Sequence, residues 1–270
     1  MEWKNVYRGM VMGASDIIPG VSGGTIAVIL GIYDRMITAI NGIAGREWRK
    51  HLSFLVPLLI GIMTAVFLLS RVMEWLFASF PGPTKFFFLG LIFGVLPYLV
   101  TTAGLKSFRG NHFVLLLFGC LIVALLSFLS VNDGTVMEGV SGTTYALLFI
   151  AGFIASSGMI LPGISGSFML LILGVYPTII TAISNFRIDV LLITGAGVII
   201  GILIMSKIIH YFLKAYYTAT FALIIGMVLG SGFVIFPGWP ADTELVSISV
   251  AAFALGLAAA YLLSRVEHRS

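Results

Sequence analysis

Two stretches of this chain, PGVSGGTIAVILGIYDRMITAI (residues 19–40) and PGISGSFMLLILGVYPTIITAI (residues 162–183), align without a gap at an offset of 143 and match at 12 of 22 positions. Both are apolar, and both are broken by Pro, Gly and Ser at the same places. A weaker echo follows at offset 136: LLSRVMEWLF (68–77) resembles IMSKIIHYFL (204–213), and Gly90 and Gly94 fall opposite Gly226 and Gly230. The chain therefore reads as two copies of one unit, residues 1–130 and 143–270, joined by the polar connector VNDGTVMEGVSG (131–142).

Composition settles which solvent the units meet. Of the residues, 59% are hydrophobic and 10% charged, and the mean hydropathy is +1.11, whereas soluble domains carry roughly 25% charged residues. An all-α, polytopic integral membrane protein follows. The pI near 9.3 does not indicate nucleic acid, because the basic residues are scattered over short loops rather than massed on one face. The N-terminal MEWKNVYRGMVMGASD lacks the apolar core and small-residue cleavage site of a signal peptide. Cys120, the single cysteine, lies in an apolar run and reads as a small hydrophobe.

About 20 residues of helix cross the hydrocarbon, and six segments approach or exceed that length: 53–77, 86–104, 112–130, 190–213, 218–236 and 246–264. The two broken regions, about 3–40 and 143–183, are left over. Each is expected to be a re-entrant helical hairpin followed by three spans, which makes the second repeat inverted relative to the first. With both termini in the cytoplasm, 12 of the 15 Lys and Arg residues fall inside, Arg46, Arg49 and Lys50 among them. Asp133, Glu138, Asp242 and Glu244 then fall outside, as the positive-inside rule requires. A full crossing at 16–40 would put the Arg46–Arg49–Lys50 cluster on the wrong side.

Irregular backbone at membrane depth survives only where protein buries it or a polar cavity receives it. Two such loops on inverted repeats are expected to meet near the midplane. After GVSGG, a helix starting near Ser22–Thr25 turns free N–H groups and its positive dipole end toward the loop. Gly23 and Gly24 permit close approach to the backbone, and Ser22 and Thr25 add hydroxyls; Ser165, Gly166 and Ser167 provide the counterpart. Such a pair suits an anion, with phosphate the first candidate. Helix packing through Gly and Ser is the competing account. No Lys follows Gly23 or Gly24, so this is not a nucleotide-binding P-loop.

The pair DIIPGVSGGTIAVILGIY and LPGISGSFMLLILGVY resembles the two signature motifs of the PopT family of polyprenyl-phosphate transporters, a membrane family formerly without an assigned function. The resemblance extends over nearly the whole chain. It implies re-entrant helices and translocation of undecaprenyl phosphate, the lipid carrier of cell-wall precursors, back across the cytoplasmic membrane. The second loop carries Ser167–Phe168 where the first has Gly24–Thr25, so the two need not contribute equally.

A prenyl tail is at home in lipid, and the phosphate head alone needs a polar path. Cations on that path are sought among intramembrane ionisable residues. Arg71 and Lys207, at equivalent repeat positions, and Arg8 are the candidates, with snorkelling to the head groups as the alternative for each. Asp16, opposite Met159 in the repeat, is a candidate helix cap or carrier of a coupling H⁺ or Na⁺. Glu74 reads as an i,i+3 partner of Arg71. The four His residues form no metal-ligand pattern, and neither a metal nor a cofactor is called for. The Phe-rich FFFLG (86–90) is expected to face lipid. Two other functions compete. A small-anion carrier or channel would use the same helix starts, and a polyprenyl-diphosphate phosphatase would need an acidic cluster beyond Asp16.

Overall fold

The computed structural model describes residues 1–16, 22–43, 45–104, 108–126, 141–240 and 242–268. Every regular element among them is helix: α1 (Lys4–Asp16), α2 (Gly23–Ile29), α3 (Tyr33–Gly42), α4 (Trp48–Ser79), α5 (Pro81–Thr102), α6 (Gly110–Leu126), α7 (Gly142–Ile160), α8 (Gly166–Ile172), α9 (Tyr176–Ser184), α10 (Ile188–Ala215), α11 (Tyr217–Ile235) and α12 (Thr243–His268). Residues 17–21 of the first loop, Lys106, and most of the connector (131–140) lie outside the described residues.

Six helices are long and apolar enough to cross a membrane: α4, α5, α7, α10, α11 and α12. The protein is a multi-pass membrane protein. Five of these six match expected spans. The expected span at 112–130 is represented by α6, whose 17 described residues end where 127–130 fall outside the description. The broken regions each divide into three helices, but with different first arms. At 1.5 Å per residue, α1 with its 13 residues reaches only about 20 Å. The 19-residue α7 reaches nearly the roughly 30 Å of hydrocarbon.

The turn inside each broken region has one physical cause. Gly31 (φ 64°) and Gly174 (φ 70°) occupy equivalent repeat positions and adopt the left-handed conformation. Gly31 N–H bonds to Val28 O and Ile32 N–H to Ala27 O, both at 3.0 Å; Gly174 N–H bonds to Leu171 O at 2.9 Å and Val175 N–H to Leu170 O at 3.1 Å. These are paired Schellman closures, in which a left-handed glycine lets the chain satisfy the last carbonyls of a helix and turn away. Helices α2 and α3 consequently diverge by 120°.

Four close helix pairs build the body: α1 with α4, α7 with α10, α5 with α12, and α6 with α11. The repeat offsets carry α1 to α7, α4 to α10, α5 to α11 and α6 to α12, so each pair maps onto another of the four. Glycine makes the contacts close. A Cβ on Gly9 would overlap the carbonyl of Leu58, and one on Gly61 that of Val6; Gly90 and Gly256 meet the carbonyls of Phe253 and Phe87 in the same way. In lipid, where apolar surface gains little by leaving the solvent, such backbone approach is a main source of helix association.

All seven residues of α2 are buried, as are large parts of α5 and α11, so this short helix of the first broken region is shielded by protein. The outer helices α4, α10 and α12 instead expose Phe67, Leu192 and Leu255. Phe86 and Phe88 correct the expectation for the Phe-rich stretch. Both are core residues at 5% and 6% exposure, because α5 is covered by α12 on one side and α11 on another. Cys120 is half-buried.

Candidate substrate site where the two loops meet

The start of α2 is joined by hydrogen bonds to the end of α7 and to the loop that precedes α8, and these cross from one repeat to the other. Ser22, extended at φ −119° and ψ 136°, is the N-cap of α2. Its Oγ accepts the Gly24 N–H at 3.1 Å, and its hydroxyl proton is shared between the carbonyls of Gly158 and Leu161, each at 3.4 Å. Thr25 Oγ1 accepts the N–H of Gly163 at 2.8 Å in a buried bond. Gly163 is held at φ 87°, and a side chain there would overlap the backbone of Met227.

Asp16 closes the other side. Gly23 N–H donates to its Oδ1 at 2.6 Å, so a carboxylate rests on a free donor of the α2 start, where a negative charge is favoured. A Cβ on Gly23 would stand 2.7 Å from Asp16 Oδ2, and one on Gly24 2.7 Å from the carbonyl of Ile160. The close approaches that these glycines permit are thus made by Asp16 and by the second repeat's backbone. At the equivalent place in the second half, Met159 packs on Gly166, 2.7 Å from where its Cβ would be. A charged cap in one repeat is a thioether in the other.

Ser165 begins α8 without capping it, and its Oγ lies 2.8 Å from that of Ser167. Ser22, Thr25 and Ser165 are all buried, and so are Gly23, Gly24 and Gly166. Ser167 is half-buried. The seven loop residues singled out in the sequence therefore sit at the starts of α2 and α8.

The candidate cations are dispersed. Lys207 is exposed on α10. Arg71 lies on α4, where its side chain and that of Glu74 fall outside the description. Arg8 donates to Asn5 Oδ1 at 2.8 Å and lines a cavity beyond the far end of α2. One acid escaped the sequence reading although it lies within the first repeat motif: Asp34, in the first turn of α3, bonded to the Tyr217 hydroxyl with Oδ1 buried and unpartnered. Its signal was its mismatch with Pro177 in the repeat.

Residues 12–254 match the model of a family described as undecaprenyl phosphate translocase-like. The chain is 43% identical over 274 residues to a polyprenyl-phosphate transporter of Staphylococcus aureus, covering 98% of this chain and 97% of that one. It is 34% identical to a polyprenyl-phosphate transporter of Vibrio cholerae, over 86% of this chain and 77% of that one. No solved structure matches it. A family model spanning most of the chain, and relatives aligned over 98% and 86% of it, make this protein a member of the undecaprenyl phosphate translocase-like family.

Proposed function

We propose that this protein is a transporter, not an enzyme, that carries polyprenyl phosphate, in particular undecaprenyl phosphate, across the cytoplasmic membrane so that the lipid carrier can be used again. The observation that carries the reading is the buried junction of the two signature loops. Ser22 and Thr25 bond across to the second repeat inside a bundle whose outer faces are apolar. Polar backbone and hydroxyls at that depth cost several kcal/mol each if left unpaired. Here they are paired with one another, and a polar guest can take over those bonds without leaving any group bare.

The phosphate head occupies the junction in this reading, held by Ser22, Gly23, Gly24 and Thr25 from one side and Ser165, Gly166 and Ser167 from the other. Arg8, Arg71 and Lys207 serve as cations along the approach. The tail stays in lipid. In the arrangement seen here, Gly23 N–H is held by Asp16 and Gly163 N–H by Thr25, so the head enters by exchanging protein acceptors for phosphate oxygens. Each exchanged bond is worth about 1 kcal/mol net, a small toll beside the barrier of bare hydrocarbon. A coupling H⁺ or Na⁺ has its natural place at Asp16, which must leave Gly23 for phosphate to bind there.

The two units are inverted repeats, with both termini in the cytoplasm. The exchange of the four helix pairs under the repeat offsets supports this, as does the distribution of basic residues.

Proteoliposomes loaded with polyprenyl phosphate in both leaflets test the proposal. The rate at which inner-leaflet phosphate becomes accessible to an added, impermeant phosphatase should rise well above that of empty vesicles. An unchanged rate would overturn it, and release of entrapped inorganic phosphate would favour a small-anion carrier instead.

A further inference from the structure

A cavity of about 630 Å³ opens past the C-terminal end of α2, with Leu30, Gly31 and Ile32 in its wall. It is a different place from the loop junction. The seven residues of α2 separate the two by about 10 Å at 1.5 Å per residue. Three cations line it, Lys4, Arg8 and Arg35, against the single carboxylate of Glu2. We infer that this cavity is a second oxyanion site, a waypoint that receives a phosphate monoester before or after its passage through the loop junction; the inference rests on the transport reading above for the identity of the lipid.

The arrangement carries this chemistry in several ways. Arg35 already holds an oxyanion, since its guanidinium is ion-paired with the Glu2 carboxylate. Guanidinium is the side chain best shaped for two-point contact with carboxylate or phosphate oxygens. That guanidinium is also fixed in place, 4.8 Å over the Phe54 ring, so it is presented rather than dangling. The pair is half exposed, with side-chain exposures of 53% and 34%, and an incoming dianion can compete for it. Arg8 is positioned by its bond to Asn5, itself fully buried and anchored to the Phe54 carbonyl. Tyr98 adds a hydroxyl to the wall.

The mouth marks the occupant as an amphiphile. Trp3 lines the cavity and is 63% exposed, and indole rings at such positions sit at the membrane's head-group level. A headgroup could therefore reach the cations while its tail stays in the bilayer. Free phosphate presents the same oxyanion without the tail, so both are tested.

The experiment is equilibrium binding of radiolabelled polyprenyl phosphate to the full chain in detergent, with polyprenol and inorganic phosphate as competitors. Lys4→Gln/Arg35→Gln should raise Kd roughly tenfold, and Glu2→Gln, which removes the resident carboxylate, should lower it several-fold. A gain of affinity cannot arise from misfolding. Polyprenol should not compete. Unchanged Kd in both variants, with wild type binding the lipid, would overturn the waypoint and leave the transport reading standing. If wild type binds inorganic phosphate with this same pattern of variant effects but not the lipid, the cavity stands as an oxyanion site and the lipid reading falls.

Discussion

Thr25 and Gly163, 138 residues apart in sequence, are joined by a buried 2.8 Å hydrogen bond in which the threonine hydroxyl accepts the glycine N–H. This bond ties the loop of one repeat to the loop of the other. Thr25→Val preserves shape but leaves the Gly163 N–H buried without an acceptor, at a cost of about 1–3 kcal/mol. Lower thermal stability in detergent and slower lipid transport are expected, with Thr25→Ser restoring most of both. Equal stability of the Val and Ser variants would show that the bond does not hold the loops together.

Asp16 and Gly23 form the second contact to be tested, because it depends on the absence of a side chain. Gly23→Ala would place a methyl 2.7 Å from the Asp16 carboxylate and displace the 2.6 Å cap. Loss of a cap costs about 1 kcal/mol. A double-mutant cycle separates this from simple crowding. In an Asp16→Ala background the carboxylate is already gone, so Gly23→Ala should cost markedly less than in wild type. Additive costs would mean that the glycine serves packing alone.

The hairpin turns offer a comparison between equivalent positions. Gly31→Ala and Gly174→Ala each force a side chain into the left-handed region, at about 1–2 kcal/mol. The Cβ of Gly31→Ala would also stand 2.9 Å from the Tyr98 hydroxyl, the far end of a side chain that can move aside, so both variants should lose stability. Thermal unfolding of the two single variants checks this, and an unchanged Tm in either would show that its turn does not need a left-handed glycine.

Much of this architecture is legible before any coordinates. The apolar runs locate the long helices α4, α5, α10, α11 and α12, since a helix satisfies its own backbone in lipid and few other structures do, but they do not foretell the division of each broken region into three helices. The loops are legible too, because Pro and Gly inside an apolar run have to be paid for by a buried junction. What pairs with what is harder. Phe86 and Phe88 look lipid-facing in sequence because hydropathy cannot tell a protein neighbour from a lipid one; their burial depends on α12 lying across α5. Asp34 escaped notice for a related reason. It matters through Tyr217, and no local pattern announces a partner 183 positions away. Repeat alignment likewise does not report that Arg8 lines a cavity while Lys207 stands exposed on α10.

The glycines at the helix crossings give the last prediction, and it carries its own control. Gly256, on α12, faces the carbonyl of Phe87, and a Cβ there would overlap it; Gly195, on α10, has nothing within 4 Å of where its Cβ would be. The same substitution to Ala should therefore have opposite signs. Gly256→Ala must separate α5 from α12 or strain one of them, costing about 1–3 kcal/mol. Gly195→Ala gains helix propensity without a clash and should be neutral or stabilising by up to about 1 kcal/mol. Thermal melts of detergent-solubilised protein would read both. A loss at Gly195 matching that at Gly256 would mean that glycine is needed along these helices for flexibility rather than for the approach of one backbone to another.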